Sequence, residues 1–108
     1  MNWQKRTNLI INKNNMQKLN NSNVVIIGVG GVGSYAAECI CRCGVGNITL
    51  IDGDTISETN INRQLPALNS TIGKYKTKVL KDRFLDINPN LNINTIEKML
   101  TPDDVDVL

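Results

Sequence analysis

The chain has 108 residues, room for one domain at most, and carries 12 basic against 10 acidic side chains, a net charge of +2. A balance that small does not by itself argue for nucleic acid or a membrane surface as partner. No apolar run reaches the ~18–20 residues that span a bilayer, and no signal-peptide core precedes a small-residue cleavage site, so a cytoplasmic protein with no membrane partner is expected.

An Asn-rich arm over residues 1–22 comes first, in which Asn12 to Leu19 is expected to form a short helix before the polar stretch Asn20-Asn21-Ser22-Asn23. Residues 24–28 form an apolar, β-branched run that reads as a strand. Four glycines follow at positions 28, 30, 31 and 33, within GVGGVGS. A chain leaving a strand must turn sharply to enter a helix. Gly28 and Gly30 permit that turn and let the main chain approach a phosphate, while Gly33 lets the helix pack close to its strand. The helix runs over residues 31–43 and stops at Gly44, a favourable C-terminal cap. Its N-terminus offers unpaired N–H groups and a partial positive charge, worth ~0.3–2 kcal/mol to an anion.

On a helical wheel Val32, Tyr35, Ala36, Cys39, Ile40 and Cys43 share one face, which is expected to be core, while Cys41 points away. Three cysteines at this spacing, with no histidine in the chain, suit neither a disulfide framework nor a four-ligand zinc site. No metal ligand is assigned among these residues.

Asn47 to Ile51 is the second strand, closed by Asp52-Gly53-Asp54. An acid at the end of a second strand can accept hydrogen bonds from ribose hydroxyls, the role expected of Asp52. Asp54 either assists it or serves as an ordinary turn residue. The polar connection that follows, residues 53–72 with Pro66 inside it, is long enough to suggest function. Within it Arg63 carries a planar fork of donors suited to phosphate, with Asn60 one helical turn before it; a plain surface arginine would look the same.

A second helix is expected over residues 73–87, ended by Asn88-Pro89-Asn90. Lys76 starts its buried stripe with Val79, Leu80, Phe84 and Ile87, and Lys74, Lys78 and Lys81 form a solvated face. At the carboxyl edge of a sheet, such a lysine must either snorkel to water or meet an anion. Arg83 falls on the stripe two turns later and reads as a packed helix-end cation. A third strand over residues 91–96 follows, and Thr101-Pro102 has the form of a helix start. Strands alternating with helices predict an α/β fold: a Rossmann-like, doubly wound sheet represented by its N-terminal half, about three parallel strands, behind the arm. The division is an arm over 1–22 and a nucleotide-binding half over 23–108, incomplete at its C-terminal end.

GVGGVGS at 28–34, IDGD at 51–54 and TNINRQLPAL at 59–68, followed by Gly73 and Lys76, resemble the nucleotide-binding half of the E1-like (ThiF/MoeB/HesA) adenylating enzymes. Within that superfamily, the short arm, the GGVGS form and the Asn-x-Asn-Arg-Gln sequence are most similar to the tRNA threonylcarbamoyladenosine dehydratases. The resemblance implies that Gly28, Gly30, Gly31 and Gly33 cradle the ATP phosphates and that Asp52 and Asp54 hold the ribose. It places Asn60, Arg63 and Lys76 around the triphosphate, with Arg63, Lys76 and an arm arginine, Arg6, as the catalytic cations. Because that arginine reaches into the partner subunit's site in this family, a homodimer is implied. Asn12 stands where relatives have glycine, a tolerable change because Asn accepts positive φ.

The implied chemistry is ligase-like: a carboxylate attacks the α-phosphorus of ATP, pyrophosphate leaves, and the acyl adenylate reacts onward. In the dehydratases the carboxylate belongs to threonylcarbamoyladenosine in tRNA, which cyclises. The resemblance also implies Mg²⁺, held by an aspartate beyond residue 108, so weak or no turnover is expected from this chain alone. Three alternatives stay open: an adenylyltransferase for a ubiquitin-like sulfur carrier, with a carrier or cysteine desulfurase as partner; an NAD-dependent oxidoreductase; and a non-catalytic module that kept the fold.

Overall fold

In the computed structural model, which describes residues 2–107, three five-residue strands lie side by side in chain order, β1 (Asn23–Ile27), β2 (Asn47–Ile51) and β3 (Asn92–Ile96). All pairings are parallel. Asn23 lies opposite Asn47 and Asn47 opposite Asn92, and the row ends at Ile27, Ile51 and Ile96. The helices are α1 (Lys5–Asn20), α2 (Gly31–Cys43) and α3 (Lys76–Ile87). This is the open, parallel α/β sheet of Rossmann type that the alternating pattern predicts.

Strand alternation decides where the core sits. Ile48 and Leu50 of β2 and Ile93 of β3 point to one face, where they meet Ala37 and Cys41 of α2 and Leu80 and Phe84 of α3, with Val24 and Ile26 of β1 at the margin. Burying a side chain the size of Leu80 or Phe84 contributes about 1.5–3 kcal/mol. The other face is open along β1 and β3: Val25, Ile27 and Ile96 remain 53%, 56% and 43% exposed. Helices therefore cover one side of the sheet among the described residues.

The wheel reading of α2 needs correction. Cys41 is fully buried, with Ser34 and Ala37, whereas Cys39 and Cys43 are exposed and Val32 and Tyr35 stand 87% and 53% in solvent. The helix lies close on the sheet, and a close approach selects small side chains for the inner face. Its larger apolar residues follow a second stripe of the same period. Burial pushes the Cys41 thiol up to about 11, so it is an inert core group.

The helix bounded by Gly44 ends as expected, with that residue at φ 107 and its N–H bonded to Cys41 O. The expected start of α3 at residue 73 moves to Lys76. Residues 73–75 instead pair with the long connection, through Ile56 N to Lys74 O, Gly73 N to Ile56 O and a Thr55–Tyr75 bridge. In the arm, helix extends to both sides of Asn12, which breaks it with φ 64. The Asn12 Oδ1 accepts the N–H of Asn15 at 3.1 Å, so the residue that ends the first limb caps the second. The first limb, Lys5 to Ile11, has no amphipathic period to announce it.

Arg83 is not on the stripe of α3. It reaches α2, where Glu38 takes hydrogen bonds from Arg83 and an ion pair from Arg42. The Arg83 hydrogen bond is the largest cause holding the Glu38 carboxyl below its ordinary value of 4.5. Stability from a depressed carboxyl is present above the unfolded value and is lost as pH falls through the folded one. Glu38→Gln should therefore cost up to about 1 kcal/mol at pH 6, with the pair partly exposed. In denaturant titrations the gap between variant and parent should close on acidification below 4.5.

Candidate functional site

The carboxyl ends of β1 and β2 open onto the glycine turn. Gly28 sits at φ 85, a conformation that disfavours any residue with a Cβ, and its N–H bonds to Ile51 O at 2.8 Å. Gly33 is where the helix closes on that turn: a Cβ there would lie 1.9 Å from Gly28 O. Gly30 caps α2 without a side chain, and the first intrahelical bond runs from Ser34 N to Gly30 O. The N–H groups of Gly31, Val32 and Gly33 precede it and face an anion in the usual way of a helix N-terminus. At Gly28 an added Cβ would meet nothing within 4 Å, which leaves the turn open to a ligand.

Asp52 is buried, and its carboxylate takes two main-chain donors. Val29 N donates to Oδ2 at 2.9 Å and Asp54 N to Oδ1 at 2.7 Å. One side chain thus fixes the exit of β1 against the exit of β2 and still has lone pairs for a hydroxyl. Beside it, a cavity of about 130 Å³ is lined by Gly28, Ile51, Asp52, Lys98, Met99 and Leu100. Its walls are apolar apart from Asp52 and Lys98. The segment after β3 is anchored there: Thr77 Oγ1 donates to Glu97 Oε1 at 2.8 Å, with Lys78 Nζ 3.5 Å away. Lys98 holds Asp104 at 2.7 Å and draws its carboxyl down to about 2. Lys78, expected to be merely solvated, is engaged in this anchor and also donates to Thr95.

The long connection is ordered by its own side chains. Asn60 is buried, its Oδ1 accepting Ser57 N at 2.9 Å in a capping box around Glu58–Asn60. Arg63 N and Gln64 N both return to Asn60 O. Leu65 N donates to Ser34 Oγ at 3.3 Å, tying the loop to the first turn of α2. As a result Arg63 O would lie 3.8 Å from a Cβ on Gly31. The Arg63 guanidinium is exposed, donating to Thr59 O and Asn62 Oδ1 and pairing with no carboxylate among the described residues.

Lys76 opens α3 with its side chain 7% exposed. Its backbone N–H bonds to Asp54 O, and its Nζ stands 3.8 Å from Asp54 Oδ2, too far for a hydrogen bond. Asp54 itself is largely in solvent. A buried ammonium with one loosely placed counter-charge is poised to take an anion.

The fold thus brings Gly28, Gly30, Gly31, Gly33, Asp52, Asp54, Asn60, Arg63 and Lys76 to one edge of the sheet. Arg6 is elsewhere. Gln4 Nε2 donates to Asn20 Oδ1, and Gly46 N bonds to Leu19 O, which places the arm at the amino ends of the strands. Two residues beyond Gln4, Arg6 lies on that opposite edge and is exposed.

Sequence reasoning assigned no role to Gln64. It is buried, its Nε2 would stand 3.6 Å from a Cβ on Gly30, and its Oε1 has no hydrogen-bond partner. Its place directly after Arg63 was the only available signal. Residues 98–100, part of the cavity wall, carried none. An open glycine turn, free helix N–H groups, the Arg63 fork and the Lys76 ammonium fit a triphosphate, while the unpaired Gln64 Oε1, an acceptor, calls for a donor such as a hydroxyl. Among the described residues no three His, Cys, Asp or Glu side chains cluster. Mg²⁺, which takes one or two carboxylates beside the phosphates it bridges, has no ligand assigned among them.

The profile of the ThiF family matches residues 4–108. The tRNA threonylcarbamoyladenosine dehydratase of Haemophilus influenzae is 47% identical over 88 residues, 82% of this chain and 34% of that protein. The dehydratase of Bacillus subtilis is 46% identical over 98 residues, 91% of this chain and 39% of that protein. The solved structure of the Escherichia coli tRNA N6-threonylcarbamoyladenosine dehydratase in complex with ATP superposes with a TM-score of 0.90 at 38% identity, covering 95% of this chain and 44% of that one. The chain spans well under half the length of these relatives. With a family match that takes in the arm, the glycine turn and the loop of Asn60 and Arg63, the chain belongs to the ThiF family.

Proposed function

We propose that this chain supplies the ATP-binding part of an adenylating enzyme, an arm over 1–22 and a nucleotide-binding half over 23–108. Its acceptor is the carboxylate of threonylcarbamoyladenosine in tRNA. The observation that carries the nucleotide is the pairing of an open glycine turn with the buried Lys76 ammonium on one sheet edge. The acceptor rests on identity to the dehydratases, and the ATP complex of the E. coli relative supports the nucleotide.

In this reading the phosphates lie over the turn, held by the N–H groups at the start of α2 and by Arg63 and Lys76, with the NH₂ of Asn60 as a neutral donor. Asp52 and Asp54 accept the ribose hydroxyls. The acceptor carboxylate attacks the α-phosphorus and the bond to pyrophosphate breaks. Arg63 and Lys76, joined by Arg6 of the second copy in a homodimer, neutralise the charge that builds on the phosphoryl oxygens. The acyl group then closes within its own nucleoside and AMP leaves, carrying the carboxylate oxygen, which accounts for the net loss of water. A tRNA substrate places the activity in the cytoplasm.

Calorimetric titration of ATP into Arg63→Ala tests the assignment. Loss of a charge-assisted phosphate contact should weaken binding about tenfold, or about 1.4 kcal/mol. Equal affinity in parent and variant would favour a non-catalytic module. A sulfur carrier as the true acceptor would show itself if carrier, and not the modified tRNA, stimulated pyrophosphate release.

A further inference from the structure

The net charge of +2 conceals a segregation. Residues 1–22 carry Lys5, Arg6, Lys13 and Lys18 and no acidic side chain, whereas residues 23–108 carry eight basic and ten acidic ones. Among the described residues, carboxylates pair with Arg42, Lys76, Lys78, Arg83 and Lys98, and with none of the four arm cations. A field of one sign without internal counter-charge attracts polyanions.

The break at Asn12 gives that charge a shape. Residues from both limbs of α1 line a cavity of about 390 Å³, with Lys5 and Asn8 from the first and Lys13, Gln17 and Asn20 from the second. Two ammonium groups with four carboxamides, Gln4 beside the three on α1, are a donor-rich set for phosphate oxygens and sugar hydroxyls, and no acid lines the cavity to oppose them. An anionic lipid surface would satisfy the charge but needs a continuous apolar face to insert. The arm lacks one: Leu9 and Ile10 are exposed on the first limb, while on the second Met16 is buried and Leu19 half-buried.

We propose that the kinked arm is a docking surface for the phosphate backbone of tRNA, with a backbone phosphate seated between Lys5 and Lys13. The inference rests on the tRNA reading of the function and goes beyond it. The surface lies at the amino edge of the sheet, away from the nucleotide site of its own chain; in the proposed homodimer, where Arg6 of the same arm joins the second copy's site, it holds the RNA backbone beside that site.

Anisotropy titrations of labelled tRNA at several salt concentrations, paired with ATP calorimetry, test it. The K5Q/K13Q variant should weaken tRNA binding about tenfold or more and flatten the plot of log affinity against log salt by about 1 for each lysine removed. Because Arg6, Arg63 and Lys76 are all kept, its ATP affinity should fall far less than its tRNA affinity. Unchanged tRNA affinity and slope would overturn the docking surface and leave the nucleotide reading standing. Absence of ATP binding by the parent chain, with tRNA binding still dependent on Lys5 and Lys13, would overturn the nucleotide reading alone. A parent chain that binds no tRNA, or that prefers phosphatidylserine vesicles to tRNA, would also overturn the docking surface.

Discussion

Gly33→Ala is expected to abolish ATP binding and to lower stability by about 3 kcal/mol. The new methyl would sit 1.9 Å from Gly28 O, a main-chain atom that cannot swing aside, so α2 must lift from the turn or the turn must deform. Either movement displaces the N–H groups that face the ligand. Thermal melting and calorimetry on the same preparation read both losses. Gly30→Ala provides the contrast. Its Cβ would meet only the Gln64 side chain, at an ordinary 3.6 Å, and no main-chain atom. Stability should fall much less than in Gly33→Ala, while ATP affinity falls because the methyl occupies the approach to the turn. A Gly33→Ala protein that melts with its parent would show that the turn is looser than this packing requires.

Lys76→Met should separate function from stability. Burying a charge is costly, and Asp54, the one carboxylate paired with it among the described residues, is exposed enough to be solvated alone. The variant should therefore melt at or above the parent temperature. ATP affinity should fall about thirtyfold, the loss of about 2 kcal/mol expected when a charged donor leaves a phosphate. If Lys76 were a structural cation the signs would reverse: a lower melting temperature with ATP binding intact.

The two helices show how differently parts of this chain can be read. The start and end of α2 are written in glycines, whose backbone freedom has a local meaning, and both ends fall where the pattern puts them. Its buried face does not, because two apolar stripes of equal period compete, and the choice belongs to the sheet it packs on. Ser34, Ala37 and Cys41 are selected for closeness of approach, a property of two elements together. On α3 one stripe dominates and Lys76, Leu80 and Phe84 are buried on it as expected, although Thr77 joins them and Arg83 leaves the stripe for Glu38 on α2.

The site divides along the same line. Asp52 is legible as the acid that ends a strand, but its grip on Val29 N and Asp54 N depends on how β1 and β2 finish side by side. Gln64 has no period or charge to mark it. It matters because Asn60 O turns the chain back, placing the amide against Gly30. The arm's first limb is polar enough to pass for coil, and the break at Asn12 is legible only in the residue's tolerance of positive φ.

That ATP, and not a dinucleotide, belongs on this sheet edge is tested most directly by titrating both ligands into the chain under identical conditions. A dinucleotide site needs the glycine turn and Asp52 but has no use for Arg63 or a buried Lys76. We expect ATP to bind in preference to NAD, with an affinity that drops in Arg63→Ala. Preferential binding of NAD, with Arg63→Ala indistinguishable from its parent, would contradict the account.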